Sequence, residues 1–71
     1  MNRKLDFWYA VIDLVTRECI RIETQNMLIT EEMAPDYIII EGDNQAYRGK
    51  YYINGAWYED EQGTIPWSPE E

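Results

Sequence analysis

The chain contains no histidine, one cysteine and one serine. Without histidine it lacks the commonest general base, and with Cys19 as its single thiol it can form neither an internal disulfide nor a zinc site of the usual ligands. Ser68 stands between Trp67 and Pro69 in the C-terminal tail, where a nucleophile would be poorly held. These absences predict a protein that is not an enzyme and that uses neither a metal nor another cofactor.

The residues that could still carry chemistry are poorly placed for it. Cys19 follows Glu18 rather than a basic residue, so packing as a small apolar side chain is its favoured role. Glu59, Asp60 and Glu61, called the acidic run below, are adjacent carboxylates of the kind that acid–base catalysis or calcium would use. They follow a predicted strand and lack the spacing of a calcium loop, so a solvated turn is the favoured interpretation.

Basic residues are scarce, since six Lys and Arg oppose fourteen Asp and Glu and leave a net charge of −8. Before Glu59 the chain has nine acids and six bases, a charge of −3, and from Glu59 onward it has five acids and no base, a charge of −5. Such a surface repels phosphates, which disfavours direct binding of DNA or RNA. Its favoured role is solubility, although it could also attract a basic partner or imitate a nucleic acid in a basic groove.

Long hydrophobic runs are missing as well. A membrane-spanning helix needs about 20 consecutive apolar residues, and the segment after Met1-Asn2-Arg3-Lys4 is interrupted by Asp6 and Asp13. Neither a membrane span nor a signal peptide is therefore predicted. A single unpaired cysteine suits synthesis in a reducing cytoplasm, and later incorporation into an extracellular particle stays open.

The strongest feature that is present is Asn54-Gly55 between two aromatic runs. This dipeptide predicts a hairpin with a type I′ turn, in which both central residues take a positive φ. The turn sets a register that pairs Ile53 with Ala56, Tyr52 with Trp57, Tyr51 with Tyr58 and Lys50 with Glu59. Each face of the hairpin then receives one aromatic pair across the strands.

Three further segments predict strands. Residues 5–15 are rich in aromatic and β-branched side chains, and residues 18–23 alternate, with Ile20 and Ile22 on one face and Cys19, Arg21 and Glu23 on the other. Together they predict a first hairpin. Residues 37–41 form a third strand, whose continuous apolar run suggests burial on both faces. Between these strands, Thr30 can cap at most one helical turn, because Pro35 prevents a longer helix.

The expected fold is mainly β, a small antiparallel sheet or barrel-like sandwich of about five short strands, made of two hairpins and a middle strand. Residues 1–62 form one small domain, and residues 63–71 form an extended, acidic arm with two of the three prolines. A chain of this length buries only about 60% of its unfolded surface. Its stability must therefore come from good packing, oligomerisation or docking onto another protein.

Aromatic residues supply the candidate contact sites. Phe7 and Trp8 point to opposite faces of the first strand, so both of its faces are apolar, and docking of one face on another chain is favoured over a curled, closed sheet. The expected contact anchors are Phe7, Trp8, Tyr52, Trp57 and Trp67. For Trp57 and Tyr58, packing in the core is favoured over contact with a partner. Trp67 could pack equally well on its own domain or on a neighbour.

Two segments resemble known proteins. Residues 9–13 with residues 19–22 resemble the opening hairpin of many small phage-encoded proteins, and Tyr51-Tyr52-Ile53-Asn54-Gly55-Ala56-Trp57-Tyr58-Glu59-Asp60 resembles the ending of phage tail, tail-fibre and baseplate-associated proteins. Ile65-Pro66-Trp67 is similar to tails found there. The resemblance covers about half of the chain. It implies a virion component or accessory protein that has no catalytic residues and works in oligomers.

The sequence thus predicts a non-enzymatic phage structural or accessory module that acts through protein–protein contacts as a homo-oligomer. It would be made in the host cytoplasm, and later assembly into a virion stays open. The alternative is an anti-defence inhibitor, in which the acidic run together with Glu70 and Glu71 occupies a basic nucleic-acid- or nucleotide-binding groove of a host enzyme. A third interpretation is carbohydrate binding by Trp57, Tyr52 and Trp67.

Overall fold

The computed structural model describes residues 6–69, and within them the fold is mainly β. The elements are β1 (Phe7–Ile12), β2 (Cys19–Gln25), β3 (Tyr37–Ile40), a short 3-10 helix (Gln45–Tyr47), β4 (Tyr51–Ile53) and β5 (Ala56–Tyr58). They form two small antiparallel sheets, one with the order β2-β1-β3 and one made of β4 and β5. The predicted fold class, five short antiparallel strands with almost no helix, is confirmed. Leu5, at the start of the first predicted strand, lies outside the described residues.

Backbone hydrogen bonds connect the two sheets at one corner. The amide of Cys19 donates to the carbonyl of Lys50 (2.8 Å), and the amide of Gly49 donates back to the carbonyl of Cys19 (3.0 Å). Two residues before Cys19, the carbonyl of Arg17 accepts from the amide of Tyr52 (2.9 Å). These bonds join the start of β2 to the second sheet, and the buried side chains form a single core.

The Asn54-Gly55 hairpin has the predicted register, with Tyr51 opposite Tyr58 and Tyr52 opposite Trp57. Asn54 has a φ of 52° and Gly55 a φ of 83°, which is the left-handed geometry that a type I′ turn requires. These are local preferences of the two residues, so the turn forms where the sequence predicts it.

The alternation predicted for β2 is wrong at its first two residues. Ala10 lies opposite Ile22, but Ile12 lies opposite Cys19, because the register shifts between Val11 and Ile12. This bulge turns Cys19 into the core, where it is 1% exposed, and leaves Ile20 48% exposed. The predicted packing role of Cys19 is confirmed, and burial raises the pKa of its thiol.

The bulge lies next to the loop that connects β1 and β2. The amide of Asp13 donates to the carbonyl of Glu18 (2.8 Å), and the amide of Arg17 donates to the carbonyl of Asp13 (2.6 Å). Arg17 takes a φ of 73°, a geometry that glycine adopts most easily. Its guanidinium Nε donates to the carbonyl of Tyr52 (3.0 Å), so an arginine at this position also ties the loop to β4.

Both faces of β1 are covered by the chain itself in the middle of the strand. On one face lies the core, whose buried members are Ala10, Ile12, Cys19, Ile38, Ile40 and Tyr47. On the outer face, Tyr9 is 0% and Val11 is 2% exposed. The hydroxyl of Tyr9 donates to the carbonyl of Met27 (3.2 Å) and accepts from the amide of Ile29 (2.7 Å). The expectation that this face docks on another chain is therefore wrong for Tyr9 and Val11, since the loop after β2 covers it.

Two helical turns lie between the strands, one after Thr30 and one at Gln45–Tyr47, and the sequence predicts only the first. A single turn follows Thr30, whose carbonyl accepts from the amides of Met33 and Ala34 (both 3.0 Å), and the Thr30 hydroxyl oxygen caps it by accepting from the amide of Met33 (3.4 Å). This agrees with the limit set by Pro35. The 3-10 helix was not predicted. Asn44 caps it by accepting from the amide of Ala46 (3.0 Å), and it places Tyr47 in the core.

Candidate interaction surfaces

Four rings from three parts of the chain form one aromatic cluster, defined by Tyr47, Tyr52, Trp57 and Trp67. Trp57 lies at its centre, with ring centroids 4.8 Å from Tyr47, 5.0 Å from Tyr52 and 6.2 Å from Trp67. The rings meet at steep angles of 58–76°, so the cluster is interlocked rather than flat. Tyr47 belongs to the core, and Tyr52, Trp57 and Trp67 pack against it.

The C-terminal arm delivers Trp67 to this cluster. Pro66 forms a bridge with Tyr58, the amide of Trp67 donates to the carbonyl of Trp57 (3.1 Å), and the amide of Glu59 donates to the carbonyl of Ile65 (2.8 Å). The Lys50 ammonium lies 5.4 Å from the centroid of the Trp67 ring. Trp67 therefore packs on its own domain, which is one of the two roles expected for it, and its ring is still partly exposed.

The acidic run divides into two roles. The Asp60 carboxylate accepts from the amides of Thr64 (2.9 Å) and Ile65 (3.0 Å) and from the Thr64 hydroxyl, which closes the loop between β5 and the arm. Glu59 lies 3.8 Å from the Lys50 ammonium, measured from Oε1 to Nζ, and Glu61 is exposed. The carboxylate of Asp60 therefore serves the fold, and only its two neighbours present theirs outward. Glu70 and Glu71 lie outside the described residues.

This loop predicts a dependence of stability on pH. The hydroxyl of Thr64, together with the two backbone amides, lowers the pKa of the Asp60 carboxyl below its ordinary value. A carboxyl whose pKa is lower in the folded state stabilises the fold above its unfolded pKa, about 3.9 for aspartate, and this contribution disappears as the pH falls through the folded pKa.

We expect the melting temperature of Asp60→Asn to fall less steeply with acidification than that of the wild type, as followed by circular dichroism. Glu61→Gln removes an exposed carboxylate from the same loop and should keep the wild-type slope; equal slopes for all three proteins would contradict this role of Asp60.

The expected contact anchors do not form one surface. Tyr52, Trp57 and Trp67 meet in the aromatic cluster, and Glu59, Pro66, Trp67 and Ser68 line a shallow cleft of about 470 Å³ beside it. Trp8 packs against the core from β1, on the same face as Ala10. Phe7 is half-buried on the opposite face of that strand. Asp60 is turned inward to its own loop.

A surface that the sequence did not reveal lies along β3. This strand pairs only with β1, so its second edge is open within residues 6–69. The predicted burial of both faces of β3 is wrong at Ile39, which is 54% exposed, whereas Ile38 and Ile40 lie in the core. An apolar run can belong to a central strand or to an edge strand, and strand order decides between them. β3 pairs with β1 and with neither of its neighbours in sequence, β2 and β4, so no local signal marks it as an edge.

The outer face beside β3 carries a closed network of polar side chains. The Glu23 carboxylate accepts from the Tyr37 hydroxyl (2.6 Å), from Gln25 Nε2 (2.9 Å) and from Arg21 Nε (2.9 Å). The hydrogen bond from Tyr37 lowers the pKa of the Glu23 carboxyl, and the same bond raises the pKa of the Tyr37 phenol. This network ties β2 to β3 across β1, which fixes β3 in place as the edge of the sheet.

Within residues 6–69, no group of three or more cysteine or carboxylate side chains is arranged to hold a metal ion. The same residues include no helix of the length and apolar character that crossing a membrane requires. Comparison of the chain with protein-family models, curated proteins and solved structures gave no match.

Proposed function

We propose that the protein is a non-enzymatic structural or accessory module of a phage, which acts through protein–protein contacts as an oligomer or within a larger assembly. The observation that carries this proposal is the open, apolar edge of β3, where Ile39 is 54% exposed in a chain of 71 residues. Natural proteins protect such edges unless another chain uses them.

The remaining surface supports the same function. Large apolar side chains that are about half exposed or more occur in several other segments: Leu14 (48%), Val15 (91%), Ile20 (48%), Met27 (50%), Leu28 (51%), Met33 (58%) and Ile65 (53%). Removal of apolar surface from water is worth about 25 cal/mol per Å². Burial of these side chains in a contact with another protein would therefore add stability that so small a core cannot supply. The resemblance of the Asn54-Gly55 hairpin to phage proteins supports the phage assignment.

The two other interpretations receive less support. Imitation of nucleic acid needs a row of free carboxylates, but Asp60 uses its oxygens within its own loop. A sugar platform needs flat, exposed rings, but Tyr52 and Trp57 are half-buried and interlock at steep angles.

Size-exclusion chromatography with light scattering tests the proposal directly. The protomer has a mass of 8.5 kDa, and we expect a larger species either for the protein by itself or after mixing with the purified products of the neighbouring genes. Neighbouring genes that encode tail proteins would support the structural role. A strict monomer at all concentrations, which forms no complex with any of these products, would overturn the proposed function.

A further inference from the structure

We infer that β3 is the edge to which an extended, basic segment of another protein adds as a further strand. This inference rests on the proposed function, because it assigns the contact edge and the chemistry of the partner. The partner's backbone would pair with β3, and its basic side chains would face the acidic surroundings of this edge.

The backbone groups of β3 that do not pair with β1 point toward its open edge. Val11 lies opposite Tyr37 and Tyr9 opposite Ile39, and the amide of Ile12 donates to the carbonyl of Asp36 (2.8 Å). In an antiparallel pair, bonded positions alternate along the strand. Ile38 and Ile40 therefore direct their amide and carbonyl groups toward β1, whereas those of Ile39 point to the open edge.

Nothing in the sequence of β3 protects this edge. Exposed edges are usually blocked by lysine, proline, a bulge or a covering segment. β3 reads Tyr37-Ile38-Ile39-Ile40, and its pairing with β1 is regular from end to end. The amide and carbonyl of Ile39 have no hydrogen-bond partner within residues 6–69 and lie between β-branched neighbours, which is the arrangement that an incoming strand extends.

The exposed side chains beside the edge add apolar contact. Ile39 projects on the same face as its cross-strand neighbour Tyr9, whose hydroxyl is bound to the backbone of Met27 and Ile29. Met27 (50% exposed) and Leu28 (51% exposed) therefore lie on the face that Ile39 shares. Alternate side chains of an added strand would rest on this face, where apolar residues fit best.

The negative charge around β3 favours a basic partner segment. Residues 22–47, which include β3 and the loops on both sides of it, contain no Lys or Arg and six acids: Glu23, Glu31, Glu32, Asp36, Glu41 and Asp43. Of these, Glu23 is paired with Arg21 of β2 (2.9 Å). Asp36 and Glu41 directly flank β3. A second copy of this chain, with a net charge of −8, would bring like charges together, whereas a basic segment meets opposite charge.

The test uses a fluorescein-labelled peptide of alternating valine and lysine, with an otherwise identical peptide of valine and glutamate as the probe for charge. We expect anisotropy to show binding of the basic peptide to the wild-type protein, weakening with added salt, and no binding of the acidic one. Ile39→Pro removes the outward amide without breaking a hydrogen bond to β1, and Ile39→Lys keeps the amide but adds a positive charge to the edge. Each should weaken binding by about tenfold or more.

Ile20→Lys is the matched control, because Ile20 is 48% exposed and the substitution changes the net charge by the same amount as Ile39→Lys. It should leave the affinity within about twofold of the wild type. The inference is overturned if the basic peptide does not bind, if the acidic peptide binds equally well, or if folded Ile39 variants bind as tightly as Ile20→Lys. Complex formation by Ile39→Pro with neighbouring gene products, as strong as that of the wild type, would also overturn it while leaving the proposed function intact.

Discussion

Replacement of Trp57 by alanine is expected to lower the free energy of unfolding by about 3 kcal/mol. Its ring contacts Tyr47 in the 3-10 helix, Tyr52 in β4 and Trp67 in the arm, so one truncation removes contacts to three segments. The ring is only partly buried, which places the loss at the lower end of the range for aromatic truncations. A domain of this size has a free energy of unfolding of about 5 kcal/mol or little more, so the variant would lose most of it.

Urea unfolding followed by circular dichroism measures this loss without relying on the tryptophan that is removed. Trp57→Phe keeps a ring at the centre of the aromatic cluster and should cost about 1 kcal/mol. Trp67→Ala removes the contacts to Tyr47 and Trp57 at the edge of the cluster and should have an intermediate effect. A loss below about 0.5 kcal/mol for Trp57→Ala would contradict the central role of this ring in the aromatic cluster.

Replacement of Tyr9 has the second large effect. Tyr9→Ala removes a ring that is 0% exposed and should cost about 4 kcal/mol. Tyr9→Phe keeps the ring but leaves the amide of Ile29 and the carbonyl of Met27 without their partner, at a cost of about 1–3 kcal/mol. The same unfolding measurement compares both variants with the wild type.

The comparison of Tyr9→Phe with Tyr51→Phe isolates the contribution of the hydroxyl group. Tyr51 is half-buried, and its hydroxyl makes no hydrogen bond with the described residues, so its removal should change stability by less than about 0.5 kcal/mol. Equal losses for the two phenylalanine variants would contradict the role assigned to the Tyr9 hydroxyl. Hydrogen exchange of the Ile29 amide gives a second measurement, since its protection should fall in Tyr9→Phe.

The candidate site was predictable where its parts are close in sequence. Tyr52 and Trp57 are paired by a turn of two residues, and their pairing follows from Asn54-Gly55. The contacts of Trp67 with Tyr47 and of Asp60 with Thr64 were not predicted, because they depend on the path of the arm after Gly63. Gly63 has a φ of 71°, and a Cβ there would lie 3.2 Å from Ile53 Cδ1, so glycine lets the arm turn back against the hairpin.

The sequence by itself determined the β-rich class and the second hairpin, since these follow from side-chain type and from turn geometry over a few residues. Only the tertiary structure decided that a bulge exchanges Cys19 with Ile20, that the loop after β2 covers Tyr9, and that β3 is an edge. Each of these depends on which distant segments meet, and the free energy that selects them comes from burial and hydrogen bonds summed over the whole fold. Local residue preferences do not contain that sum, which is why an apolar strand such as β3 can be recognised as a strand but not as an edge.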